Sequence, residues 1–264
     1  MSEELLINIS PMESRVAVLD NGILGEIYIE RHHKLGLVGN IYLGTVVRVL
    51  PGMQAAFVDI GQSRTAFLHV NDMQRETRPV VEKNKAAKAT KREIDEDDAT
   101  ANASADSLAV TPPIVSAQST EIVPASKTLI QHRLHESQRI LVQVTKDQLG
   151  SKGARLTTNI SLPSRYLVYL PSSDHIGISQ RIDGEEERSR LKTELSSLMQ
   201  TVNLKGGLIA RTAAERVPVD KLEEDIYYLL QLWRTICARR QEINHHQSSE
   251  LIYQELSLPL RSIR

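Results

Sequence analysis

Residues 82–127 contain no glycine and no aromatic side chain, and Ala, Ser, Thr, Lys and acidic residues dominate them. Such a composition buries too little apolar surface to offset the entropy of ordering the chain, so the stretch is predicted to be a solvated, disordered insertion. The fold must therefore be assembled from the segments on either side. The insertion opens on Lys83, Lys85, Lys88, Lys91 and Arg92 and passes into Glu93, Asp95, Glu96, Asp97 and Asp98. Clustered carboxylates could bind a hard cation, but ligands on a flexible loop lose much entropy when ordered, and a solvated run is the expectation.

Ahead of the insertion, the runs Leu5 to Ile9, Val16 to Leu19 and Ile27 to Ile29 alternate with the period of a β-meander. Asp20-Asn21-Gly22 supplies residues that tolerate positive φ in a tight turn. Further strand-like runs fill Ile41 to Val70. Beyond the insertion, "RILVQV" and then Leu167 to Leu170, closed by Pro171, are strand candidates. Leu191, Leu195 and Leu198 place an amphipathic helix over Arg188 to Met199. A longer helix is predicted from an Asp220 N-cap to about Glu242, on the stripe Leu222, Ile226, Leu229, Trp233 and Ile236. Trp233 and Cys237 fall to its core face. A last strand-like run, Leu251 to Leu256, precedes "LPLRSIR".

Composition narrows the functional classes. Lys plus Arg number 32 against 33 Asp plus Glu, a net charge of -1, so bulk charge alone cannot drive polyanion binding. The single cysteine, Cys237, rules out an internal disulfide and leaves no paired-cysteine zinc site. "MSEELLINIS" lacks the features of a secretory signal and no apolar run reaches membrane-spanning length, so a cytoplasmic protein with no membrane partner is expected. The pairs His32-His33 and His245-His246 fall in connecting segments, where adjacent side chains rarely converge on one ion, and are expected on the surface. Glu185, Glu186 and Glu187 mark a helix start.

The window Gly44 to His69, "GTVVRVLPGMQAAFVDIGQSRTAFLH", carries the most chemistry. It alternates over three strands, puts glycines at the bends of a small closed barrel, and holds both Phe residues of the chain, Phe57 and Phe67. Turned outward they would stack bases, each stack contributing about 1–3 kcal/mol; turned inward they would be core. The spacing "G-x-V-x-x-V" before "AAFVDIG", with "AFLH" after, resembles the S1-type RNA-binding domain, an OB-fold barrel. That resemblance implies that Phe57 and Phe67 lie on an RNA-binding face. Together with "NIYLGTVVRVLPGMQAAFVDIG", "VQVTKDQLGSKGARLTTNISLPSRYLVYLP", "GISQRI" and "GLIARTAAE", it makes the chain similar, outside the insertion, to the amino-terminal half of the ribonuclease E and G family. The opening "ELLINISPMESRVAVLDNGILGEIYIER" and "LPSRYLV" are most similar to its ribonuclease G branch.

The resemblance implies an α+β chain in which an incomplete RNase H-like sheet is interrupted by an S1-type OB-fold β-barrel and a 5′ sensor domain. Residues 1–38 would form the first RNase H-like segment, 39–75 and 138–162 the two parts of the barrel, and 76–137 the low-complexity insertion. Residues 163–245 would form the 5′ sensor and 246–264 a truncated return segment. Arg211 and Thr212 match the pair that grips a 5′-monophosphate; a guanidinium offers phosphate a planar fork of donors, and a hydroxyl can complete the cradle. Ser164 and Val168 match the other wall of that pocket, where a backbone group and an apolar contact meet the terminal nucleotide. Lys152, in "GSKG", matches a lysine that meets RNA at the barrel, and Lys146 is close by in sequence. Gln180 stands where ribonuclease E-like relatives place Arg, so its grip on RNA would be weaker and no ion pair. Without the resemblance, Arg211 reads as a surface ion pair and the lysines as solvated charges.

In that family hydrolysis uses two aspartates holding Mg²⁺, and a CxxC zinc link joins the dimer; by the family's pattern both lie downstream of Arg264. No substitute set of converging carboxylates is visible in this sequence. The expectation is the RNA-recognition half of a Mg²⁺-dependent endoribonuclease acting on single-stranded RNA with a 5′-monophosphate, in ribosomal RNA maturation and messenger decay. By itself it would bind without cutting, hold no cofactor, and form the homodimer weakly or not at all. The alternatives are a self-sufficient, non-catalytic RNA-binding or regulatory protein and a fragment without function. A generic S1-type protein would not account for "GLIARTAAE".

Overall fold

The computed structural model describes residues 3–74, 129–243 and 248–263. The predicted disorder over 82–127 and the His245-His246 pair lie outside the described residues. Three antiparallel strands come first, β1 (Glu3–Ile9), β2 (Glu13–Asp20) and β3 (Ile23–Arg31). Asn21 and Gly22 make the β2–β3 turn at φ 50° and 79°, the positive φ that these two residue types tolerate.

Next, β4 (Ile41–Leu50), β5 (Ala55–Asp59), β6 (Ala66–His69), β7 (Arg139–Lys146) and β8 (Arg155–Thr157) follow one another in space as β4-β5-β6-β8-β7. β7 pairs back onto β4, so the five strands close into a barrel compatible with an OB fold. Val46, Val58, Leu68, Val142 and Leu156 fill its interior. Closure brings β4 hard against β5 at Gly44, where a Cβ would lie 2.7 Å from Val58 Cγ1 and 2.8 Å from the Asp59 carbonyl oxygen. The insertion expected to run to residue 137 ends sooner. From 129 the chain is folded, and Ile130 and Leu134 are buried in the barrel core, with the Ile130 N–H donating to Gln54 Oε1 at 3.1 Å. Two anchors four residues apart in a polar context show no strand period, and so escaped the sequence reading.

The remaining sheet holds β9 (Leu162–Pro163), β10 (Leu167–Leu170), β11 (Ile176–Ile178) and β12 (Gly207–Ala210) in the order β11-β12-β10-β9. Two helices cover it, α1 (Glu185–Val202) and α2 (Val219–Ile243). Both are longer than their apolar spacing predicts. α1 starts on its three glutamates, and Asp220 lies inside the first turn of α2 rather than at its cap. Leu222, Ile226, Leu229 and Ile236 of α2 join Leu191 and Leu195 of α1 in one core. Trp233 packs at that core's edge, its ring 6.4 Å from Tyr169 in edge-to-face contact. Cys237 is half-buried, and desolvation pushes its thiol pKa up.

The last described elements tie these units together. β13 (Glu250–Tyr253) pairs antiparallel with β4, so the strand-like run ends at Tyr253 and not Leu256. α3 (Leu258–Ile263) then lies along β2 and β3, with the Leu258 N–H donating to Glu30 Oε2 at 2.9 Å and Leu258 and Pro259 buried. The opposite face of that first sheet leaves Leu6, Ile27 and Ile29 between 53% and 57% exposed. Among the described residues no helix is long and apolar enough to cross a membrane.

Gly44→Val should lower stability by about 1–3 kcal/mol, the usual cost of overpacking a filled interior. Gly52→Ala, where a Cβ meets nothing within 4 Å, should change it little. Thermal melts of both variants check the pair, and equal effects would contradict the close approach at β4.

Candidate nucleic-acid interface

Strand register assembles the first candidate surface. Phe57 and Phe67 are direct cross-strand partners on the outside of the barrel, where their rings meet edge to face with centroids 6.2 Å apart. Both are half-buried, and the interior positions beside them belong to Ala56, Val58, Ala66 and Leu68. His69, two residues beyond Phe67, extends the rings: its imidazole lies 6.4 Å from Phe67 at 29°, and its Nδ1 accepts from the Asn71 N–H. The same register continues to both sides. Arg48 is paired with Phe57, Phe67 with Arg155, and Arg155 with Lys146, so one row crosses all five strands as Arg48, Phe57, Phe67, Arg155 and Lys146. At the usual strand spacing the row runs about 19 Å around the barrel.

Both ends of the row depend on β-bulges. Val46 and Val144 point into the barrel, so strict alternation would point Arg48 and Lys146 inward as well. The ladders shift between Val46 and Arg48 and between Val144 and Lys146, and each bulge turns the following cation out to solvent. Arg155 is partly neutralised by Asp72 at 2.9 Å. Lys152 is exposed on the 147–153 turn, in an isolated bridge with Leu149. That turn is pinned to the barrel: Arg64 donates to the Gly150 carbonyl, and a Cβ on Gly153 would overlap the Thr65 carbonyl. Lys146 thus stands in the row that holds Phe67, and Lys152 lies on a turn pinned beside the start of β6. Sequence reading named both Phe residues and both lysines but missed Arg48, Arg155 and His69. His69 ended a quoted motif and could have been found; the two arginines emerge only from register.

The second surface lies where β10 and β12 end. The pairs Leu167 with Ala210 and Val168 with Ile209 bring Arg211 beside the turn 164–167, and the Arg211 N–H donates to the Tyr166 carbonyl at 2.8 Å. Arg211 Nη1 donates to the carbonyls of Ser164 at 2.5 Å and Arg165 at 3.4 Å. Its side chain is exposed and makes no ion pair among the described residues, so the surface-ion-pair reading does not hold there. Thr212 is exposed beside it, at the start of a short 3-10 turn. Gln180 is exposed one residue past Ser179, whose N–H donates to the Ala210 carbonyl, which places it on the same edge. Val168 is half-buried on the sheet. Ser164 is 1% exposed: its hydroxyl turns inward to Asp225 at 2.5 Å, while its carbonyl faces Arg211.

A charge network holds the segment after Arg211. Glu187 accepts from Arg190 at 2.6 Å and from the Arg216 N–H at 2.8 Å, and Arg190 also pairs with Glu194 at 2.7 Å. Arg216 sits at φ 58°, a left-handed conformation that this bond helps retain. The Arg190 hydrogen bond first, and then that from Arg216, hold the Glu187 pKa down to about 2. Among the described residues no group of three or more His, Cys, Asp or Glu could hold a metal ion.

Comparison with known proteins agrees with the motifs. The Ribonuclease E/G family pattern matches residues 161–264. Ribonuclease G of Escherichia coli (strain K12) is 42% identical over 264 residues, which is all of this chain and 45% of that protein. Ribonuclease G of Haemophilus influenzae is 40% identical over 261 residues, covering 99% of this chain and 44% of its own length. Ribonuclease E of Haemophilus influenzae is 33% identical over 264 residues, covering 99% of this chain and 23% of its own. The chain belongs to the ribonuclease E/G family. It spans a little under half the length of the ribonuclease G relatives it matches.

Phe57→Ala and Phe67→Ala should each weaken single-stranded RNA binding by about 1–3 kcal/mol. Each should cost less stability than the roughly 3–5 kcal/mol of truncating a buried Phe. Titration calorimetry with parallel melts separates the two, and unchanged RNA affinity would contradict a stacking role. For Glu187, a pKa lowered on folding contributes stability that is complete above the ordinary value near 4.5 and lost as pH falls through about 2. Glu187→Gln should therefore be less stable than the parent at pH 7, with the gap closing between about pH 4.5 and 2. Denaturation midpoints across that range check it; a gap independent of pH would contradict the ionic clamp.

Proposed function

We propose that this stretch of chain is the RNA-recognition portion of a ribonuclease of the G type. Single-stranded RNA runs along the barrel row while its 5′ end reaches Arg211. The row Arg48, Phe57, Phe67, Arg155 and Lys146 carries the reading. A neutral protein binds a polyanion only where cations are gathered, and here they flank an aromatic pair. Bases stack on Phe57 and Phe67 regardless of identity, since every base has a π face, and the arginines and lysines meet the backbone on either side. His69 adds a ring to this platform, and Lys152 a further phosphate contact.

The 5′-monophosphate falls to Arg211 and Thr212. Arg211 spends one Nη on carbonyls and keeps its other donors without partners among the described residues, an open fork for phosphate oxygens. Val168 supplies an apolar contact to the terminal nucleotide, Gln180 a neutral hydrogen bond, and Ser164 acts through its carbonyl. By the same resemblance, residues 163–245 are the 5′ sensor and β1–β3 with α3 an RNase H-like layer. In this reading the 264 residues bind RNA without cutting it, and Mg²⁺-dependent hydrolysis and the zinc-linked dimer use other residues.

The test is a four-way comparison at fixed salt, the parent chain and Arg211→Ala against 5′-monophosphate and 5′-hydroxyl forms of one oligonucleotide. A charge-assisted hydrogen bond nets about 1.5–3 kcal/mol, so the parent should prefer the phosphorylated end by about tenfold or more. Arg211→Ala should erase the preference and leave the hydroxyl end nearly unaffected. Equal binding of both ends by the parent would overturn the sensor assignment.

A further inference from the structure

Asp225 lies on the wrong face of α2 for a charged residue. It is three residues past Leu222 and four before Leu229, both fully buried, so helical geometry directs it toward the core. A carboxylate there is costly unless donors surround it. The donors come from one turn: Asp225 Oδ2 accepts from Ser164 Oγ at 2.5 Å, from the Tyr166 N–H at 3.1 Å and from the Leu167 N–H at 3.1 Å. The turn is closed by the Ser164 N–H on the Leu167 carbonyl at 2.8 Å.

This arrangement orients the turn between Asp225 on one side and Arg211 on the other. With the donors drawn inward to one anion, the carbonyls of Ser164, Arg165 and Tyr166 are left to Arg211, which binds the first two through Nη1 and the third through its main-chain N–H. Two links in series run from α2 to the guanidinium, carboxylate to turn and turn carbonyls to Nη1, and a main-chain hydrogen bond ties the Arg211 backbone to the same turn. Among the described residues the Arg211 side chain makes no other hydrogen bond and no ion pair.

We propose that Asp225 is the positioning residue for Arg211, and that by orienting the 164–167 turn it sets how strongly the chain discriminates phosphorylated from hydroxyl RNA 5′ ends. The proposal rests on the reading of Arg211 as the end-phosphate ligand. Asp225 does not itself touch the phosphate; a carboxylate doing so would repel it. Its role is to hold the Arg211 fork open in advance of the ligand, so that little rotamer freedom remains to be lost on binding.

The experiment measures dissociation constants of the chain and its Asp225→Ala, Asp225→Asn, Arg211→Ala and Asp225→Ala/Arg211→Ala variants for the two oligonucleotide ends, with melting temperatures alongside. The parent's preference of about tenfold should fall to about twofold or less in Asp225→Ala, with affinity for the hydroxyl end unchanged. The double variant should lose nothing more than Arg211→Ala alone, because the two residues act on one interaction. Asp225→Asn keeps an oxygen for the turn but not the charge, and should fall between parent and Ala. If the Ala variant does not fold, the Asn variant decides: a reduced preference with unchanged hydroxyl-end binding supports the proposal, and the parental preference overturns it. A preference that is retained or increased in Asp225→Ala, losses that add in the double variant, or affinity lost for both ends alike would each overturn it. A parent chain with no preference would remove the sensor reading itself, and with it this inference.

Discussion

β4 is the strand on which the other units depend. Along one edge it pairs with β13 and then with β5, and along the other with β7, so each of its ladders belongs to a different part of the chain. Its two faces are also divided. Ile41 and Leu43 enter the core beneath the helices, while Tyr42 and Val46 enter the barrel. Over its first six residues, Ile41 to Val46, the strand is buried on both faces, and it is paired on both edges there, so no register is left free, because a one-residue slip would exchange the two cores. The side chains that reach RNA in the proposed reading are placed by that register.

From this constraint the aromatic and basic row follows. Pairing places Phe67 against Phe57 and Arg155 against Phe67, and the two bulges rotate Arg48 and Lys146 outward at the row's ends. Bulges of this kind re-aim side chains at rims and sites, at the expense of local ladder bonds. The net charge of -1 is compatible with such a surface because the cations are concentrated by geometry and not by composition.

Much of the fold was legible in local pattern. The β-meander with its Asn21-Gly22 turn, the barrel strands around "AAFVDIG" and both helices follow from periodicity, since each buries a face set by its own repeat. What escaped depends on contacts between distant segments. Ile130 and Leu134 are core only because the barrel closes over them. Arg48 joins the site through a bulge whose position no local pattern shows. Ser164 is nearly fully buried because Asp225, sixty-one residues on, draws its hydroxyl inward, a contact that no local pattern shows. Asp225 did leave a trace, a charge on an apolar helical stripe, which implies a set of donors in wait.

The central claim is that cations aligned with Phe57 and Phe67 neutralise RNA phosphates, and the salt dependence of binding tests it most directly. For a single strand, log K falls with log salt by about 0.7 per phosphate contact. Arg48, Lys146 and Lys152, with Arg155 partly engaged by Asp72, should therefore give a slope of about -2 to -3 for a hydroxyl-ended oligonucleotide, and Arg48→Ala and Lys146→Ala should each reduce its magnitude by about 0.7. A slope near zero, or one that neither substitution changes, would contradict the account.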